Sequence, residues 1–104
     1  MDELKTALAA TELKFAHFGW SKAPKGDYGV YAEDGANDLV AGNVHAERVI
    51  EGTVDYFTRD ASMAAKALIE AALNSCGAAW RVESIQFEDD TGYIHLEWVF
   101  QVMG

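Results

Sequence analysis

The fold is decided by the stretch YIHLEWVFQVM, residues 93–103. Apolar and polar side chains alternate along it with the period of two that a half-buried β-strand shows. One face carries the apolar side chains Ile94, Leu96, Trp98, Phe100 and Val102. The opposite face carries His95, Glu97 and Gln101. Because a strand with one apolar face must cover that face with a second layer, the stretch predicts a sheet packed against helices.

Directly before this stretch, residues 89–92 (DDTG) have the composition of a hairpin turn. Gly92 suits a backbone position with positive φ, which a tight turn requires. The turn predicts that the preceding strand pairs with residues 93–103 in antiparallel fashion.

That preceding strand, residues 79–88, has an irregular pattern. Trp80 and Val82 fall on one parity, whereas Ile85 and Phe87 fall on the other. Alternation places both pairs on one face only if a β-bulge lies near residues 83–84. The alternative is that one of the two pairs faces a partner subunit.

The main helix is predicted over residues 61–76. Its apolar side chains recur at helical spacing, namely Ala61, Ala64, Ala65, Leu68, Ile69, Ala72, Leu73 and Cys76. Asp60 is the expected N-cap, and Gly77 is the expected residue just after the last turn. The small alanine side chains would let this helix lie close to the sheet.

The first half of the chain contributes a helix at residues 2–11 and three strands. The strands are predicted at residues 13–20, 27–33 and 46–58, and the connecting loops at residues 19–26 and 34–44. The element order is therefore α-β-β-β-α-β-β. We predict one α+β domain over residues 1–104, with a mostly antiparallel sheet and two helices packed on one face.

The composition excludes several function classes. The formal net charge is −9 and the isoelectric point is near 4.5, which disfavours proteins that bind a phosphate backbone or an anionic membrane surface. Such a charge would repel DNA. Cys76 is the single cysteine, so no internal disulfide is possible, and the first residues do not resemble a signal peptide. We expect the chain to be made in the cytoplasm.

No residue pattern predicts catalysis, a bound metal or a cofactor. His17, His45 and His95 are isolated and lack the ligand spacing of metal sites. The acidic loop at residues 33–38 lacks the calcium-binding register, and the acids at residues 89–90 belong to an exposed turn. We therefore expect a protein that is not an enzyme.

A pattern spread over the chain is more informative than any single motif. It comprises FAHFGW at residues 15–20, AP at 23–24, YGVY at 28–31, AGN at 41–43, GTVDYFT at 52–58, IEAAL at 69–73, Trp80, IQFEDDTG at 85–92 and HLEWVFQV at 95–102. These segments resemble the tail terminator, or tail-completion, proteins of long-tailed bacteriophages. The resemblance covers nearly the whole chain, and Gly42 departs from it because the family often has an acid there.

The resemblance implies a virion protein of the phage tail or neck, assembled in the host cytoplasm. It implies a homo-hexameric ring that caps the tail tube, ends tube polymerisation and offers a joining surface to the head. The implied partners are the major tail tube protein and the head-side connector or stopper, with DNA only as passing cargo. The candidate assembly-interface residues are Trp20, Lys22, Lys25, Asp38, Val40 and Asn43, where Trp20 and the two lysines would contact an acidic neighbour.

Three other interpretations remain open at this stage. The chain could be a head-side neck protein, such as a stopper or adaptor, which also forms a ring. It could be a small dimeric α+β enzyme or ligand-binding domain, which would require a pocket with convergent polar groups. An acidic inhibitor that mimics DNA would concentrate its acids on one face, whereas here they are spread over most segments.

Overall fold

The computed structural model describes residues 1–38 and 48–103, with the backbone alone for residues 35–38 and 48. Within these ranges the chain forms two helices and five strands in the predicted order, and the α+β fold class is confirmed. The helices are α1 (Asp2–Ala10) and α2 (Ala64–Ser75). The strands are β1 (Phe15–His17), β2 (Tyr28–Asp38), β3 (Arg48–Thr58), β4 (Ala79–Phe87) and β5 (Ile94–Met103).

The five strands form one sheet in the spatial order β1-β2-β3-β5-β4. Every neighbouring pair is antiparallel except β1 and β2, which run parallel. Strands β3 and β5 form the centre, where Val54 lies opposite Trp98 and Tyr56 lies opposite Leu96. The sheet is therefore mostly antiparallel, as its hairpin turns predict.

Both helices contribute to the apolar core on one side of the sheet. The apolar face predicted for β5 is confirmed, since Leu96, Trp98 and Phe100 are buried. Leu4 and Leu8 of α1 and Ile69 and Leu73 of α2 complete the same cluster. The opposite side of the sheet carries the alternating polar residues, and neither of the two helices in the described ranges covers it. We call it the open face.

The irregular strand β4 contains the predicted bulge. Its register with β5 shifts between Val82 and Ser84, which leaves Glu83 as the extra residue. The shift brings Trp80 opposite Phe100 and Ile85 opposite Leu96, so both apolar pairs of β4 lie on the helix side of the sheet. The bulge thus solves the parity conflict in the sequence, although Ile85 remains 46% exposed and Phe87 64% exposed.

Two predicted elements of the first half have different bounds. β1 is much shorter than the predicted strand at residues 13–20, because Phe18 adopts a left-handed backbone with φ of 68° and Gly19 follows with φ of 148°. β2 extends through Asp38, into the segment predicted as a loop at residues 34–44. There the turn-forming composition is overridden by pairing with β3, and a register shift between Glu33 and Gly35 accommodates Asp34.

The expected N-cap of α2 is wrong. The helix begins at Ala64 behind Met63, which has a left-handed backbone with φ of 52° and makes no side-chain cap bond. Asp60 instead accepts hydrogen bonds from the Ser62 backbone NH at 3.0 Å and from the Ser62 hydroxyl at 2.7 Å. These bonds lower the pKa of the Asp60 carboxyl, and they form a local turn that competes with capping.

Gly52 of β3 lies where the neighbouring strands leave no space for a side chain. A Cβ built on this buried residue would overlap the carbonyl oxygen of Ala32 and would lie 2.7 Å from Phe100 Cζ. We predict that Gly52→Ala lowers the free energy of unfolding by about 1–3 kcal/mol, because the sheet backbone must shift. Urea denaturation measures this. Gly26→Ala is the matched control, since a Cβ there meets no atom within 4 Å; equal losses for both variants would contradict the prediction.

Candidate assembly surface

The loop that carries Lys22 and Lys25 is fixed to the end of the sheet. The Trp20 indole NH donates a hydrogen bond to the Gly29 carbonyl at 2.9 Å, at the start of β2. The Tyr93 hydroxyl donates to the Gly26 carbonyl at 2.9 Å and lies 3.4 Å from the Lys25 carbonyl. Both ends of the loop are therefore bonded to residues of the sheet or its hairpin. We call residues 20–26 the basic loop.

Asp27, the residue that follows the basic loop, is held by hydrogen bonds from the end of β3. The buried Thr58 hydroxyl donates to Asp27 Oδ2 at 2.6 Å, and the Arg59 backbone NH donates to Asp27 Oδ1 at 3.0 Å. These bonds connect the end of β3 to the residue just before β2. They fix where the basic loop returns to the sheet.

The Arg59 guanidinium connects the basic loop to the turn between β4 and β5. It donates to the Thr91 carbonyl through Nε at 3.2 Å and through Nη2 at 3.1 Å, and to the Lys25 carbonyl through Nη1 at 3.3 Å. It also lies 4.0 Å from the centre of the Tyr93 ring. One side chain thus holds the basic loop and the turn at residues 89–92 at the same end of the sheet.

The structure separates the predicted interface residues into two groups. Trp20, Lys22 and Lys25 lie together and are exposed in the basic loop. Asp38 is the last residue of β2, opposite Arg48, and β2 spans roughly 33 Å from its first residue to its last. Asp38 is thus far from the basic loop. Val40 and Asn43 lie outside the described residues.

Three exposed apolar side chains lie outside the six candidate interface residues. Phe18 is 67% exposed and stacks on His17 with ring centres 4.2 Å apart, in the left-handed backbone that ends β1. A non-glycine residue with positive φ stores strain, which is common at functional sites. Ile85 and Phe87 were predicted to be either core or partner-facing, and they remain exposed on β4. Their uneven parity was the available signal, whereas no sequence signal indicated the conformation of Phe18.

The two histidines within the described ranges are hydrogen-bonded to carboxylates. His95 Nε2 lies 2.7 Å from Asp55 Oδ1 on the open face, and the imidazole stacks on Phe57 with ring centres 4.3 Å apart. His17 bonds Glu33 and stacks on Tyr31. Over residues 1–38 and 48–103, no three His, Cys, Asp or Glu side chains are grouped as metal ligands. His45 lies outside these ranges.

A shallow groove of about 480 Å³ lies at the other end of the sheet. Its polar lining includes Asp34, Glu51, Arg81 and Gln101. The Gln101 amide already donates to Glu51 at 2.8 Å, so these two groups satisfy each other. The described residues that line the groove include no pair of nucleophile and base. In the part of the chain that is described, no helix has the length and apolar character needed to cross a membrane.

No protein-family model and no curated protein sequence matches the chain. A solved structure is similar to it, a chain from the virion of a native gene transfer agent particle. The similarity covers 96% of this chain and 82% of that chain, with a TM-score of 0.54 and 14% sequence identity. It shows a shared fold over nearly the whole length of the present chain.

Tyr93→Phe tests whether its hydroxyl holds the basic loop. We predict a loss of about 1 kcal/mol in the free energy of unfolding, the usual net value of such a hydrogen bond. Amide hydrogen exchange over residues 22–27 should become faster. Tyr28→Phe is the control, because it removes a hydroxyl from the adjoining aromatic cluster without touching the two carbonyls that Tyr93 bonds. Unchanged exchange in Tyr93→Phe would show that other contacts hold the loop.

The hydrogen bond between His17 and Glu33 predicts that the stability of the fold depends on pH. The pKa of Glu33 lies below its ordinary value of 4.5, chiefly because His17 donates a hydrogen bond to it. A lowered carboxyl pKa stabilises the fold above the ordinary value, and the contribution disappears as the pH falls through the lowered pKa. His17→Phe keeps the aromatic stack but removes the bond. An NMR titration should then give a higher Glu33 pKa than in the parent chain, and an unchanged value would contradict the assignment.

Proposed function

We propose that this chain is a structural subunit of a phage or phage-like virion, which forms a ring that caps the tail tube. The observation that carries the proposal is the fold shared with a chain of a gene transfer agent virion, because it extends over 96% of the present chain. The resemblance of the sequence to tail terminator proteins supports the same role. The ring would end tube polymerisation and would provide the head-tail joining surface.

The geometry of the surface supports an assembly role. The basic loop is exposed but held by the hydrogen bonds from Trp20, Tyr93 and Arg59, so it presents Lys22 and Lys25 in a fixed arrangement. A surface that is ordered before it meets its partner loses less conformational entropy on binding. The buried polar side-chain atoms within the described ranges all have hydrogen-bond partners. The fold thus supports a role that depends on contacts with other subunits.

The net charge fits a ring through which DNA passes. Each chain carries −9, so a closed ring of several copies would repel the DNA phosphates along its wall. The open face contributes Glu51, Asp55 and Glu97 to this charge. DNA would then move through the ring without being held. The partners would be the tail tube protein on one side and the head-side connector or stopper on the other.

The test is a phage or particle in which the gene for this chain is deleted. We predict tails that are longer than normal or lack heads in electron micrographs, because nothing ends polymerisation of the tube. Complementation with the parent gene is the control, and the protein should then be detected in the tail or neck of purified virions. Tails of normal length attached to heads that leak DNA would contradict the cap and indicate a head-side stopper.

A further inference from the structure

The sheet has two free edges of different length. β4 forms one edge, and its whole outer side lacks a strand partner among residues 1–38 and 48–103. β1 forms the other edge but has only three residues. Free edges offer unpaired backbone NH and carbonyl groups to another chain, and they are usually protected when a protein functions as a monomer.

Each edge carries exposed apolar side chains. On the β4 edge, Phe87 is 64% exposed and Ile85 is 46% exposed. On the β1 edge, Phe18 is 67% exposed and Trp20 is 36% exposed. Aromatic side chains concentrate at protein interfaces because they bury a large apolar area. The chain therefore has two unlike apolar surfaces at opposite edges of one sheet.

Trp20 and Ile85 lie at the same height along the strands. The Phe18 NH donates to the Tyr31 carbonyl, whose row across the sheet ends at Val82 of β4. Trp20 is bonded to Gly29, which lies opposite Tyr56 of β3. Tyr56 lies opposite Leu96, which in turn lies opposite Ile85. Trp20 and Ile85 thus occupy the same row across the sheet. A second copy placed alongside in the same orientation would bring one against the other.

The charges at this end of the sheet are complementary. The exposed Lys22 follows Trp20 near the β1 edge, whereas the exposed Asp89 and Asp90 follow Phe87 at the β4 edge. Lys25 lies nearer the middle of this end, because its carbonyl and the Thr91 carbonyl accept from the same Arg59 guanidinium. A neighbouring copy in the same orientation would place its aspartates opposite Lys22.

The strand directions suit this arrangement. β1 runs parallel to β2, and the three following pairs in the sheet are all antiparallel, so β4 runs opposite to β1. Two copies in the same orientation would therefore bring β4 of one beside β1 of the next in an antiparallel sense, the commoner strand pairing in proteins.

We propose that two copies of this chain associate head to tail, through the β4 edge of one and the β1 edge of the next. Ile85 and Phe87 of one copy contact Trp20 of the other, Val82 lies opposite Phe18, and Asp89 and Asp90 face Lys22. Because the two surfaces differ, such contacts generate a ring if the rotation closes and a filament if it does not. The closed ring rests on the proposed function, whereas the contact rests on the two edges.

The sharpest test mixes two variants that each lack one surface. Ile85→Glu with Phe87→Glu removes the β4 surface, and Phe18→Asn with Lys22→Glu removes the β1 surface. Asparagine is chosen at residue 18 because it tolerates positive φ. Sedimentation equilibrium should find each variant monomeric where the parent chain associates. An equimolar mixture should form a heterodimer and nothing larger, because only one pair of intact surfaces remains.

Several outcomes would overturn the contact. These are a parent chain that stays monomeric up to about 1 mM, where even a weak contact is occupied, a variant that associates as the parent does, or a mixture that stays monomeric while the parent associates. Circular dichroism verifies that both variants are folded. The substituted apolar residues are exposed, so the monomer should tolerate the changes.

A charge exchange tests the predicted ion pairs. Lys22→Glu should weaken association at least about threefold, and adding Asp89→Lys with Asp90→Lys should restore it, since the attractive pairing is reversed rather than lost. Asp2→Lys with Glu3→Lys is the matched control, because it changes the net charge equally on α1. Restoration by the control pair would show a general charge effect and would overturn the pairing.

These results are separable from the proposed function. If the mixture forms the heterodimer but the deletion leaves tails of normal length, the contact stands and the tail cap is wrong. If the deletion gives overlong tails but the mixture stays monomeric while the parent associates, the ring uses other surfaces and the contact is wrong.

Discussion

The two layers of the fold are joined at Trp98. This residue is fully buried in the centre of the sheet, and its indole NH donates to Glu70 of α2 at 3.0 Å. The same carboxylate accepts from Lys66 at 2.8 Å. A buried tryptophan needs a hydrogen-bond acceptor, and a partly buried carboxylate needs compensating donors. The three residues satisfy one another, and the position of α2 over β5 depends on this arrangement.

The second half of the fold was predictable because its pattern is local. The alternation in β5 and the parity conflict in β4 gave the faces and the bulge at Glu83, since each follows from a period of two. The first half depended on contacts that a pattern does not contain. β2 continues through turn-forming residues because β3 pairs with it, and β1 ends at His17 because the backbone of Phe18 leaves the extended region.

The candidate surface was predictable in part for the same reason. Lys22 and Lys25 stand out as a basic spot in an acidic chain, and the structure places them on an ordered loop beside Trp20. The contribution of Arg59 could not be predicted, because it joins the Lys25 and Thr91 carbonyls, which are distant in the chain. Charge composition identifies exposed lysines, whereas the bonds that fix their positions depend on tertiary packing. Asp38 illustrates the converse, since a residue grouped with the lysines by type lies at the opposite end of β2.

The central pairing of β3 with β5 has a consequence for synthesis of the chain. Val49 lies opposite Met103 and Thr58 lies opposite Ile94, so α2 and β4 must both be made before the sheet can close. Contacts between distant segments form slowly, because a long loop must be ordered first. Until β5 is available, the inner edge of β3 and the apolar face of α2 are exposed to other chains. Nascent copies are therefore most prone to aggregate during this interval, and chaperones that bind apolar segments would act then.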